Sequence, residues 1–227
     1  MIANSFMHTF PNRVKNAILH LSLYACVSAL AIAQTAQFTS SQPGIGRDNY
    51  GVEYHPITPQ ERLKWFASST AGRTSLVSGL FSSALGTAVD TPSEYGPHWD
   101  GFAKRYGMRL TGISTGNAIE ATAGAAWQED PRYFSVNQRP FGSRVKNIVD
   151  LTFRAYRADK ERHLAYARYA GNVGNNFLSN NWRAQSEADW QHALVRTAEG
   201  FGVRALSNTF REFLPQAIRK LRHKPEP

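Results

Sequence analysis

Glycine recurs at helical intervals in this chain. Gly72, Gly79 and Gly86 stand seven residues apart, and Gly112, Gly116 and Gly124 lie on a four-residue ladder whose missing rung is Glu120. Each interior glycine costs a helix about 1 kcal/mol relative to alanine. A run of them is tolerated where helix backbones approach closely, or where a segment touches a bilayer. The expected fold is mainly α, a multi-helix bundle with small-residue-rich, closely packed helices. Insertion into a bilayer is the less favoured setting: Thr74 to Val89 is a short uncharged stretch with many Ser and Thr, and the next apolar segment carries Glu120 in its middle.

Apolar periodicity places the helices. Thr58-Pro59-Gln60-Glu61 is a capping box that starts one over about 59–70. The paired series Leu76, Leu80, Ala84, Ala88 and Val77, Phe81, Leu85, Val89 predicts a second over about 73–89. Pro92, Gly96 and Pro97 make 90–101 a loop, and a third helix runs from about Phe102 to Trp127, ended by Glu129-Asp130-Pro131. Ser143 is the expected N-cap of a fourth helix carrying Val145, Ile148, Val149, Thr152 and Tyr156, and 159–162 is a charged break. Tyr166, Ala170, Val173 and Phe177 suggest a fifth. Ser186 starts the last and longest helix, which Pro215 should kink or split.

The first 33 residues read as an address. Arg13 and Lys15 precede an apolar run from Ala17 to Ala33 that ends in Ala31-Ile32-Ala33, the form of a secretory signal with an A-x-A cleavage site. Leu23-Tyr24-Ala25-Cys26 is a loose lipobox, disfavoured because the apolar run continues past the cysteine and Tyr24 is bulky. Residues 34–57 read as a flexible lead-in, 58–222 as a single helical domain and 223–227 as a tail. The expected location is the periplasm or cell envelope, with membrane association in view. Cleavage would remove Cys26, the one cysteine, and with it any disulfide or thiolate-metal site. It would lower the formal charge of +9 by two. A basic exported chain is drawn to anionic lipid or cell-wall polymer, whereas nucleic acid is not a partner expected in that compartment. Close small-residue packing also leaves room for oligomerisation.

Chemistry-bearing motifs are sparse. Gly112-Ile113-Ser114-Thr115-Gly116 matches the serine-hydrolase elbow, but the helical period runs straight through it and no strands are predicted. Ser143-Arg144-Val145-Lys146 has the S-x-x-K spacing without the Lys-Thr-Gly element that should follow. The loop Glu94-Tyr95-Gly96-Pro97-His98-Trp99-Asp100 clusters carboxylates, an imidazole and aromatics on an irregular backbone. His98, Asp100 and Glu120 are the catalytic candidates. Glu94, Trp99, Asn176 and Trp182 are the ligand-binding ones, the last two from an Asn-rich stretch suited to sugar through amide bonds and indole stacking. Glu120, set among Gly and Ala, calls for an arginine partner such as Arg105, Arg109 or one from another helix. No metal ligand set and no cofactor motif stands out.

Tyr95-Gly96-Pro97-His98-Trp99-Asp100-Gly101-Phe102, Glu129-Asp130-Pro131-Arg132-Tyr133-Phe134 and Asn176-Phe177-Leu178-Ser179-Asn180 resemble a group of uncharacterised exported bacterial proteins, over most of residues 58–220. The resemblance implies export and no particular activity. Asp130 to Phe134 looks like a helix-terminating turn whose aromatics pack back on the bundle. The functional expectation is an envelope protein with a non-enzymatic structural or membrane-associated role. The alternative is an envelope hydrolase or saccharide-binding protein using the 94–100 loop and Glu120.

Overall fold

The computed structural model describes residues 54–222. The leader, Cys26, most of the lead-in and the 223–227 tail therefore lie outside the described residues. Within them the protein is a mainly α multi-helix bundle with one small hairpin.

Helix α1 (Pro59–Ala71) begins with the capping box read from the sequence: the Glu61 amide donates to Thr58 Oγ1 at 3.2 Å, and the Thr58 amide donates to Glu61 Oε2 at 2.8 Å. It ends at Gly72, where any Cβ would meet the Ser68 carbonyl at 2.1 Å. The chain turns there into α2 (Arg73–Ala88). End to end, α1 and α2 line α3 (Trp99–Ala126), whose 28 residues span about 42 Å. Asn117 donates to Thr70 of α1 at 3.1 Å, and Arg109 donates to the Ser75 carbonyl of α2 at 3.1 Å.

Helix α3 starts at Trp99, three residues before the expected start, so Trp99, Asp100 and Gly101 are helical and His98 is the N-cap. The early start follows from Gly101, where a Cβ would strike the Gly96 carbonyl at 2.0 Å, so that only glycine lets the loop fold back onto the first turn. Helix α4 (Phe141–Phe153) follows Pro140, and Ser143 lies inside its first turn, not at the cap. Pro140 takes the N-cap position with ψ at 152°, so the helix begins at Phe141, ahead of the serine.

The expected charged break is the turn of a hairpin. Strands β1 (Arg154–Tyr156) and β2 (Arg162–Leu164) pair antiparallel with Ala155 opposite His163. Helix α5 (Tyr166–Leu178) then runs antiparallel to α3, and α6 (Trp190–Arg222) returns antiparallel to both α5 and α4. Ser186 sits in a short 3-10 turn and does not start α6. Asp189 does, by accepting the His192 amide at 2.7 Å. Pro215 lies within one continuous α6, which it does not split.

The glycine ladder is the seam between α3 and α5. A Cβ on Gly171 would approach the Gly116 carbonyl to 2.7 Å, and one on Gly124 would lie 3.6 Å from Ala167 Cβ. A compact aromatic and aliphatic cluster of Tyr54, Val136, Leu151 and Tyr156 forms under the hairpin, with Tyr133 and Phe134 packed against it. Elsewhere among the described residues the buried hydrophobic side chains are Ile148 and five alanines, and the larger buried side chains are polar. Arg105, Glu120, Glu129, Asp130, Arg144, Arg168 and Glu212 are all buried, with Asn147, Thr152, Asn176, Ser179 and Asn208.

Some outward helix faces are correspondingly apolar. Helix α2 buries Gly79 and Ser83 and exposes Val77, Leu80 and Phe81. Helix α5 buries Arg168, Gly171 and Asn176 and exposes Val173 and Phe177. Helix α6 buries Asn208 and Glu212 and exposes Leu194 and Val195. Single exposed apolar residues are ordinary on a protein surface, whereas buried charges with apolar residues outside them are not.

Candidate functional site

Four buried carboxylates, Glu120, Glu129, Asp130 and Glu212, organise the interior. Glu120, on the seam face of α3, receives Arg168 Nε of α5 at 3.2 Å and Arg204 Nη2 of α6 at 2.5 Å. Its partners are thus arginines from other helices and neither Arg105 nor Arg109. Arg105 instead binds Asp90 at 3.2 Å and the carbonyls of Thr91, Pro92 and Gly96, which pins the α2–α3 connection. Arg168 also donates to the carbonyls of Leu151, Thr152 and Arg154 at the end of α4. Burial, reinforced by the neighbouring Arg204 charge, pushes the Arg168 guanidinium down to about 10.

Glu129 accepts Arg157 at 2.8 Å and the first two amides of α5, from Tyr166 at 3.2 Å and Ala167 at 2.8 Å. A carboxylate from a distant turn thus serves as the cap of α5 and complements its dipole. Glu212 accepts the Tyr133 hydroxyl at 2.6 Å, the Val136 amide at 3.2 Å and Arg144 Nε at 3.2 Å. Burial and the Glu212 charge raise the Tyr133 hydroxyl well above the ordinary tyrosine range. Asp130 binds Arg132 at 2.7 Å, and Arg132 reaches on to Glu61 at 3.1 Å.

These groups are held to hold the fold. Each carboxylate is occupied by donors, as a buried charge requires. The crevice beside Glu120, Glu129 and Arg168 is too narrow to admit a water molecule. Among the described residues no group of three or more His, Cys, Asp or Glu is placed to hold a metal ion.

The sequence candidates divide between two places. The Glu94–Asp100 loop meets the segment after α5: Glu94 accepts the Ser186 amide at 3.1 Å, and the Tyr95 hydroxyl accepts the Ala184 amide at 3.0 Å. The carboxyl of Glu94 is held below the usual range by its bonds to Ser186. Asn176 donates to the Asn172 carbonyl at 2.9 Å within α5, and Trp182 stands nearby in the connection to α6. Trp99 is 83 % exposed, and Asp100 faces solvent with Lys104 at 3.7 Å. Glu120 is elsewhere. Twenty residues of one continuous helix separate it from Asp100, about 30 Å of rise. His98, Asp100 and Glu120 therefore do not converge on a common substrate. Ser114 and Ser143 both sit within helices, with no sheet behind either.

Sequence reasoning missed Glu129, Glu212, Arg144, Arg168 and Arg204. One signal was present. Arg204, Asn208 and Glu212 recur every four residues on α6, which marks a polar face as surely as leucines mark an apolar one. That face is the inward one. Compared with known sequence families, curated proteins and solved structures, the chain matches none.

Proposed function

We propose that this is an exported protein of the cell envelope with a non-enzymatic, membrane-associated structural role. One observation carries the reading: guanidinium–carboxylate sets fill the interior while Val77, Leu80, Phe81, Val145, Val149, Val173, Phe177, Leu194 and Val195 face outward. Apolar surface in water is unfavourable by about 25 cal/mol per Å², so contiguous stretches of it mark a surface that another apolar phase covers. Among the described residues no helix is long and apolar enough to cross a membrane. The association is therefore read as lying on a bilayer. The leader, the basic balance and the resemblance to exported bacterial proteins support the location.

The test is fractionation of producing cells, with mass spectrometry of the mature N-terminus and a carbonate wash of the membranes. A chain that starts at Gln34, sediments with membranes and is released by carbonate is the expected result. A chain that retains its first 33 residues in the soluble cytoplasmic fraction would overturn the reading.

A further inference from the structure

We infer that α4 is the element that docks on the membrane and that the surface it fits is an anionic phospholipid bilayer. This rests on the membrane-associated reading above and adds to it the helix and the lipid class.

The apolar exterior is not uniform. On α2 it is uncharged from Thr74 to Val89, and the nearest acid, Asp90, is bound to Arg105. Around the start of α6 it is interrupted by Glu187 and Asp189. On α4 it is combined with cations. Phe141, Val145, Val149 and Phe153 recur every four residues and are all exposed, Phe141 by 70 %. They form one stripe about 18 Å long, which suits a helix lying in the interface and is too short for one crossing the roughly 30 Å core.

Lys146 is exposed beside that stripe, and Arg154, which also reaches Asp150, is exposed just after the helix. The helix's own acid, Asp150, is half-buried and held by Arg162 at 2.9 Å and Arg154 at 3.6 Å. The opposite face of α4 is fixed to the protein by Arg144, Asn147 and Thr152, which bind Glu212, the Phe134 carbonyl and Asn208. An apolar stripe flanked by Lys and Arg is the combination that binds anionic interfaces, the apolar part entering the acyl boundary and the cations meeting headgroups. Anchored polar bonds behind the stripe keep it presented as a preformed surface.

The test uses protein purified from the cells that make it, floated with vesicles of phosphatidylcholine containing zero to half phosphatidylglycerol. Wild type is expected to float increasingly with phosphatidylglycerol content. V145S/V149S should lower the partition coefficient about tenfold, and K146E should lower it about fivefold at low salt, with the difference vanishing at high salt. L80S/F81S on α2 should float like wild type. All variants should keep the wild-type far-ultraviolet spectrum, because every altered side chain is on the outside. Flotation unaffected in V145S/V149S and lost in L80S/F81S would overturn the assignment to α4 and leave membrane association intact. Flotation independent of phosphatidylglycerol would overturn the lipid class. Failure of wild type to float with any vesicle would remove the membrane-associated reading itself. Conversion of a dimer to a monomer by V145S/V149S, without any effect on flotation, would make a second copy the occupant and overturn the inference.

Discussion

Glu120 and Glu212 are both buried carboxylates carried by long helices, but the two regions around them are built differently. At the α3–α5 seam the backbones come so close at Gly171 that a Cβ would strike the Gly116 carbonyl, and Glu120 is reached by guanidinium groups from two other helices. Arg204 there is still partly exposed, and Arg168 has three carbonyls as further acceptors. At the α4–α6 contact the helices are held apart by larger groups. Arg144 stacks 4.0 Å over the Phe213 ring while Glu212 gathers Arg144, a hydroxyl and an amide into a fully buried site. The first region depends on shape and the second on the charge at its centre.

That difference can be broken. Glu212→Ala leaves Arg144 Nε, the Tyr133 hydroxyl and the Val136 amide without their acceptor, although Arg144 keeps Gln216 Oε1 and the residue-212 carbonyl, and should cost about 3–5 kcal/mol in urea unfolding. Gly171→Val should cost near the upper end of about 1–3 kcal/mol, because its nearest obstacle is the Gly116 carbonyl, which cannot rotate away. Glu120→Ala should cost less than Glu212→Ala, within about 1–3 kcal/mol, since the partly exposed Arg204 can turn to water, whereas the Tyr133 hydroxyl and the buried Val136 amide at Glu212 cannot. Equal losses at Glu120 and Glu212 would erase the distinction between the two regions.

Glu199 of α6 sharpens the comparison, being a partly buried carboxyl without the donors that Glu120 and Glu212 have. Burial, with the Glu187 charge, pushes it up to about 7. A carboxyl raised in the folded state binds its proton more tightly there than in the unfolded chain. Its contribution to stability is therefore present at low pH and declines as pH rises from the ordinary carboxylate range through about 7. Glu199→Gln should be the more stable protein at pH 8 and should flatten the pH dependence of the melting temperature between 5 and 8. The smallest effect is expected at the solvent-facing pair, where Asp100→Asn should leave the melting temperature unchanged.

Local signals in the sequence carried the helices well. Thr58 and Glu61 act as the capping box their spacing requires, and the glycine ladder from 112 to 124 is the seam its spacing implies. Caps that depend on context were harder to read. Pro140 preempts Ser143, and Asp189, not Ser186, supplies the acceptor for α6. The hairpin was invisible because three-residue strands are too short for alternation to show. The largest gap concerns direction. Val77 and Phe81 announce a helix by their period, but period alone does not say which face turns inward, and here Gly79 and Ser83 do. The 94–100 loop meets the segment after α5 only in three dimensions, through Glu94 with Ser186 and Tyr95 with Ala184, and no spacing in the sequence encodes that meeting.

Vesicle flotation of the purified protein at low and high salt, with size-exclusion chromatography of the same sample, tests the central claim most directly. An apolar exterior around an ion-paired interior predicts that the chain floats with phosphatidylglycerol vesicles and that high salt weakens the binding without abolishing it. A monomer that stays with the soluble protein at every salt concentration and lipid composition would contradict the account.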